Sequence, residues 1–195
     1  MTVEAIEQYY DEAGFSDYTH ALSRTPILKA QHPDYEISQM GIHGQRGVSC
    51  ADCHMPYKSE GGMKFSDHHI QSPLAMIDRT CQVCHRESEE TLRNNVYERQ
   101  RKANEIRTRL EKELASAHIE AKFAWDKGAT ENEMQPVLKL LREAQWRWDF
   151  WSSFSWSCFS MHLRKFSESC RMDWTEHCRP VFLLSVFWLS TVTRR

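Results

Sequence analysis

Two short stretches of this chain carry residues whose types and spacing could do chemistry. One is Ser49-Cys50-Ala51-Asp52-Cys53-His54-Met55-Pro56 and the other Thr80-Cys81-Gln82-Val83-Cys84-His85. Each contains C-x-x-C-H, the attachment signature of a c-type haem. Two thiols at this spacing reach the two vinyl groups of one macrocycle and form thioethers. The histidine that follows is then held beneath the iron as an axial ligand. A structural zinc on Cys50, Cys53, Cys81 and Cys84 is the rival reading, but the interval between the pairs exceeds the usual zinc spacing, and a histidine after both pairs would have no purpose. A thioredoxin-like redox pair fits less well still, because no βαβ pattern surrounds either motif.

Each such haem needs a second ligand, so the remaining histidines matter. His43 lies in Gly41-Ile42-His43-Gly44, shortly before the first motif, and is a candidate axial ligand in a glycine-punctuated polar stretch. In Ser66-Asp67-His68-His69-Ile70 one histidine could ligate iron while Asp67 orients it. Pro26-Ile27-Leu28-Lys29-Ala30-Gln31-His32-Pro33 reads as a loop or short turn, with Pro33 biasing His32 toward an extended backbone.

The elements around these sites read as mainly α. A short helix is expected from Val3 to Glu12, then a loop through Gly14, Ser16 and Asp17. Glu60-Gly61-Gly62 reads as a turn. From Glu87 to Lys127 no glycine or proline occurs, which predicts one long helix with Ile106, Leu110, Leu114 and Phe123 near a single stripe. Gly128 ends it. Thr130 and Glu133 then form a capping box for a second helix, with Val137, Leu141, Ala144 and Trp148 on its apolar face. The pair reads as a helical hairpin whose long member could also serve as a dimer contact.

Composition excludes some classes. A net charge of −2 without a basic block gives no sign of nucleic-acid binding. The first residues show no signal peptide, although c-type haem is attached outside the cytoplasm in bacteria; Met1 is therefore expected to be internal to a longer protein. Val181 to Val192 is apolar but too short to span a bilayer. Beyond Phe150 the chain turns rich in Trp, Ser and Cys without caps or periodicity, and Cys158, Cys170 and Cys178 have no ligand spacing. Residues 151–195 are expected to be an out-of-frame tail that is not natively folded, since codons exist for which a shifted reading of Met161 to Arg179 gives amphipathic helical sequence.

From about Ser23 to Phe150 the chain resembles the C-terminal half of the periplasmic, pentahaem, ammonia-forming cytochrome c nitrite reductases of the cytochrome c-552 family. The words that carry the resemblance are Lys29-Ala30-Gln31-His32-Pro33, Gly47-Val48-Ser49-Cys50-Ala51-Asp52-Cys53-His54-Met55-Pro56, Ser66-Asp67-His68-His69 and Ala144-Gln145-Trp146-Arg147-Trp148-Asp149. The resemblance implies a mainly α multihaem cytochrome with loop-wrapped haems, acting as an oxidoreductase that reduces nitrite to ammonium with six electrons. Cys50, Cys53 and His54 would then hold the fourth haem, and Cys81, Cys84 and His85 the fifth. His43 would be the distal ligand of the fifth haem and His68 that of the second, whose attachment motif is not in this chain. Lys29, through its carbonyl, and Gln31, through its side chain, match calcium ligands. His32 matches the catalytic histidine on the substrate side.

The resemblance further implies an electron donor that is a multihaem or quinol-oxidising cytochrome, and a homodimer formed through long helices. The chain departs from the pattern in having no C-x-x-C-K, the motif of the catalytic haem, and in lacking the family's Ser-His-Gly after Trp-Asp-Phe. A domain over residues 1–150 is expected to be one part of that enzyme, inactive alone. A dihaem electron-transfer cytochrome and a zinc-binding helical module are the other readings.

Overall fold

The computed structural model describes residues 2–152, and the expectations for residues 153–195 lie outside that range. Its elements are α1 (Val3–Glu12), β1 (Tyr18–Thr19), β2 (Pro26–Ile27), α2 (Asp34–Met40), α3 (Ile42–Gln45), α4 (Cys50–His54), β3 (Tyr57–Glu60), β4 (Met63–Ser66), α5 (Glu89–Asp126) and α6 (Glu131–Ser152). Single 3-10 turns occupy Pro73–Ala75 and Cys81–Val83. The architecture is mainly α. The chain divides into two units, one of residues 2–33 with 105–152 and the other of residues 34–104, and α5 runs from the second into the first.

The first unit has a protein core. Thr2 caps α1, its hydroxyl accepting from the Ala5 amide. Gly128, at φ 88°, closes α5, a left-handed turn that glycine makes without strain. The reciprocal bonds of Thr130 and Glu133 then open α6. Ala121 of α5 packs with Met134, Leu138 and Leu141 of α6. Further along α6, Trp146, Phe150 and Trp151 are buried. Large side chains buried this fully are worth roughly 1.5–3 kcal/mol each relative to exposure.

The buried stripes differ from those read in the sequence. Leu110 and Leu114 are buried, but Phe123 is 59% exposed, because nine residues at 100° each carry it to the opposite side of the helix from Leu114. Ala121 and His118 take the inner face instead. On α6 the stripe runs Met134, Leu138, Leu141, Trp146 and Phe150, with Val137, Ala144 and Trp148 only half-buried at its border.

Polar side chains of α6 tie the N-terminal segment down. Arg142, itself buried, donates to Asp11 Oδ1 at 2.9 Å, the Pro26 carbonyl at 2.8 Å and the Phe15 carbonyl at 2.7 Å. Trp146 Nε1 donates to the Val3 carbonyl and Arg147 to Glu7. A second buried group joins α5 to the loop before β2. His118 stacks on His20 with ring centres 3.9 Å apart and shares a 2.7 Å hydrogen bond with Ser23 Oγ.

The second unit buries little of its own apolar surface. Of its hydrophobic residues Ile37, Ile77 and Ala103 are buried, while Tyr35, Ile42, Tyr57, Met63, Ile70 and Val83 are more than half exposed. Its hairpin pairs β3 with β4 in register Tyr57↔Ser66 through Glu60↔Met63. Gly61 and Gly62, both at positive φ, supply the two-residue turn whose twist matches the strands. Among the described residues no helix is long and apolar enough to cross a membrane.

Candidate haem and cation sites

Each C-x-x-C-H folds as one helical turn, which sets side chains at i, i+3 and i+4 on one face. For the first motif that turn is α4. Ser49 caps it, accepting from the Asp52 amide, while Asp52 Oδ2 accepts from both the Ser49 amide and hydroxyl at 2.7 and 2.8 Å. These bonds hold the Asp52 carboxyl below its usual range. For the second motif the 3-10 turn is closed by the Cys84 and His85 amides donating to the Cys81 carbonyl. Buried Thr80 anchors it, its hydroxyl donating to the Pro73 and Met76 carbonyls. None of these four cysteines is paired in a disulfide.

Hydrogen bonds fix the ring orientation of three histidines. His54 Nδ1 donates to the Gln71 carbonyl at 2.9 Å, which places the lone pair on Nε2, the side a metal uses. His68 Nδ1 does the same toward the Ser66 carbonyl at 2.8 Å. Asp67, buried and ion-paired with Lys58 at 2.6 Å, grips His69 rather than His68, through Nδ1 at 2.8 Å and the backbone amide at 3.1 Å. Its carboxyl is held far below the usual range, by Lys58 first and then His69.

His43 and His85, distant in sequence, stand with ring centres 6.0 Å apart and planes at 71°. A metal–imidazole bond is about 2 Å and the ring centre lies about 1 Å further on, so two imidazoles on opposite sides of one metal have centres about 6 Å apart. Burial, and then the charges of His85 and Arg99, lower the His43 pKa, keeping it the neutral imidazole that ligates metals. Its Nδ1 is buried without a hydrogen-bond partner among the described residues. His43 sits on α3, not in the open loop its glycines suggested. Gly44 lets α3 lie against α2, where a Cβ would come within 2.2 Å of the Ser38 carbonyl oxygen.

These features fit a haem on each motif. The four thiols do not converge as a zinc site requires; among the described residues no group of three or more His, Cys, Asp or Glu side chains could share one ion.

Lys29, Gln31 and His32 follow β2 as irregular, exposed chain. His32 is not extended: its φ is 56°, in the left-handed region that histidine visits more than most residues, despite the bias imposed by Pro33. The Lys29 amide donates to Asp17 Oδ2 at 2.8 Å and the Ala30 amide to Asp149 Oδ2 at 2.5 Å. Neither carboxylate was singled out in the sequence as part of a site, although Asp149 closes a quoted motif. The Lys29 carbonyl and the Gln31 amide accept no hydrogen bond among the described residues. They are neutral oxygens of the class calcium prefers, and supply two of the six to eight it takes, so they fit one edge of such a site.

The comparisons with known proteins agree with this geometry. The family model for Cytochrome c552 matches residues 1–163. The chain belongs to the cytochrome c-552 family. The match reaches further toward the N-terminus than the stretch from Ser23 read in the sequence. Cytochrome c-552 of Bacteroides thetaiotaomicron is 87% identical over 150 residues, covering 77% of this chain and 30% of that protein. The Porphyromonas gingivalis protein is 76% identical over the same shares. The solved cytochrome c nitrite reductase of Desulfovibrio desulfuricans, a catalytic subunit (NrfA) described with two calcium sites, superposes with a TM-score of 0.79 at 33% identity, over 88% of this chain and 36% of that one. The chain thus spans about 30% of the length of the curated relatives it matches. Membership in a cytochrome c family makes haem c the cofactor class.

Proposed function

We propose that this chain is one haem-bearing part of an extracytoplasmic, ammonia-forming nitrite reductase, holding two of its haems and one edge of its substrate site. The observation that carries the reading is the pairing of His43 with His85 at 6.0 Å beside a C-x-x-C-H turn. Cys50 and Cys53 would bind one haem with His54 beneath it. Cys81 and Cys84 would bind the other, between His85 and His43. Such haem iron, ligated by two imidazoles, relays single electrons. The exposed apolar side chains of the second unit, Ile42 and Val83 among them, would then cover porphyrin.

His68, tautomerically set by Ser66, would reach a haem attached elsewhere in the full-length protein. His32 offers an imidazole on the substrate side, able to hydrogen-bond nitrite and pass on a proton. Lys29 and Gln31 would contribute to calcium. The electron donor would be another multihaem or quinol-oxidising cytochrome, the location periplasmic, and the assembly a homodimer through α5 and α6.

Thioether bonds survive denaturation. Exported with a haem-attachment system, the chain should therefore give a haem-stained band on a denaturing gel. The band should fade when Cys81 and Cys84 are both replaced by Ser and vanish when Cys50 and Cys53 are replaced as well. A colourless band carrying zinc would refute the haem assignment.

A further inference from the structure

Just after β2, the consecutive amides of Lys29 and Ala30 are each held by a carboxylate. Asp17 donates its own amide to the Ile27 carbonyl at 2.9 Å, as a ladder residue does, and its side chain then accepts the Lys29 amide at 2.8 Å. Asp149 reaches the next amide, that of Ala30, across 119 residues of sequence. The second contact has a consequence fixed by covalent geometry. The Ala30 N–H and the Lys29 C=O belong to one peptide unit, which is planar and trans, so the two point in opposite directions. An acceptor that fixes the N–H fixes the direction of the carbonyl at its other end.

We propose that Asp149 is a positioning residue for cation binding: by accepting the Ala30 N–H it aims the Lys29 carbonyl oxygen away from α6 and toward calcium. A hydrogen bond to an ionised acceptor is roughly twice as strong as a neutral one. It also draws the peptide N–H toward the carboxylate and enriches the carbonyl oxygen in electron density, which strengthens that oxygen as a ligand.

Asp149 is well placed to act as a fixed anchor. Phe150 beside it is fully buried, and Arg142, two turns earlier on the same helix, is locked onto Asp11, Phe15 and Pro26. Burial raises the Asp149 carboxyl above its usual range; the Ala30 amide and the Lys29 ammonium oppose this only in part, and the nearby Asp17 charge adds to it.

The proposal rests on the reading of Lys29 as a calcium ligand, and its test separates the two. Calcium affinity is measured by competition with a chelating dye on the full-length, haem-loaded protein carrying this segment. Asp149→Ala should weaken binding about 10- to 100-fold, the usual cost of losing a group that orients a metal ligand. Asp149→Asn keeps an acceptor oxygen and should lose only about two- to tenfold. Haem content, low-spin absorption and thermal midpoint should match the parent in both. Calcium binding by Asp149→Ala within twofold of the parent, or equal losses in the two variants, would overturn the proposal and leave the calcium reading standing. A parent that binds no calcium would overturn both. Should Asp149→Ala fail to accumulate, Asp149→Asn decides: unchanged affinity counts against the proposal and a loss in the stated range supports it.

Discussion

At the scale of single residues the chain shows how second contacts select a role for a side chain. The Nδ1 atoms of His54 and His68 donate to backbone carbonyls and leave the acceptor lone pair on Nε2, whereas the adjacent His69 is claimed by Asp67. His118 is different: buried, stacked on His20 and bonded to Ser23, it has no part in the proposed chemistry. Burial, and then the charge of His20, lower its pKa to about 4, with Gln145 opposing weakly. The folded state therefore takes up this proton less readily than the unfolded chain, whose histidine titrates near 6.5. Stability from this group is complete above pH 6.5 and is lost as pH falls from there toward 4. In the full-length protein the thermal midpoint should drop between pH 7 and pH 5, and His118→Gln should remove about 2 kcal/mol of that loss. Equal pH dependence in parent and variant, followed by calorimetry, would show that His118 is not the sensitive group.

At the scale of elements the two helical turns and α3 do most to place the site. A turn that carries cysteines at i and i+3 and histidine at i+4 needs a start and an anchor; Ser49 with Asp52 caps one and Thr80 secures the other. α3 is only four residues long and gains its position from contact with α2. Gly44 makes that contact possible, since an added Cβ meets the backbone at Ser38 and Gln39 rather than a movable side chain. Gly44→Ala should displace α3, cost about 1–3 kcal/mol as overpacking does, and pull His43 from its position near His85. Under the proposed function this withdraws one axial ligand, and the reduced protein should gain carbon monoxide binding at the haem on Cys81 and Cys84. An unchanged reduced spectrum under carbon monoxide would mean that α3 tolerates the methyl group.

At the scale of the whole molecule the two units differ in how they are held. The first has a side-chain core between α5 and α6. The second exposes many of its large apolar residues and buries few, a pattern that a covalent cofactor would compensate. The 195 residues contain no C-x-x-C-K. Under the proposed function this chain, matured with haem, should consume no nitrite with a reduced viologen donor, while a full-length protein carrying it should form ammonium. His32→Ala in that full-length protein should lower turnover by roughly 10²–10⁴-fold, the range for a general acid–base group, with every haem retained. Ammonium production by the isolated chain, or parent-like turnover in the variant, would contradict the assignment.

The sequence by itself determined what depends on neighbours along the chain. The C-x-x-C-H words, the bounds of α1, the Thr130–Glu133 cap and the Gly61-Gly62 turn are all set by contacts within a few residues, and all were legible. The reading of α5 as one helix was right for the same reason, and Leu110 and Leu114 are buried as read; Phe123 is not, because nine residues of helix carry it half a rotation from Leu114. The rest belongs to tertiary structure. His43 meets His85, Asp149 reaches Ala30, and His118 finds His20 and Ser23 across long stretches of chain. The left-handed His32 also goes against its local bias, in a segment gripped just before it by Asp17 and Asp149. No local propensity encodes such pairs; they form where separate elements are brought to one place, and there the orientation of each ligand is decided.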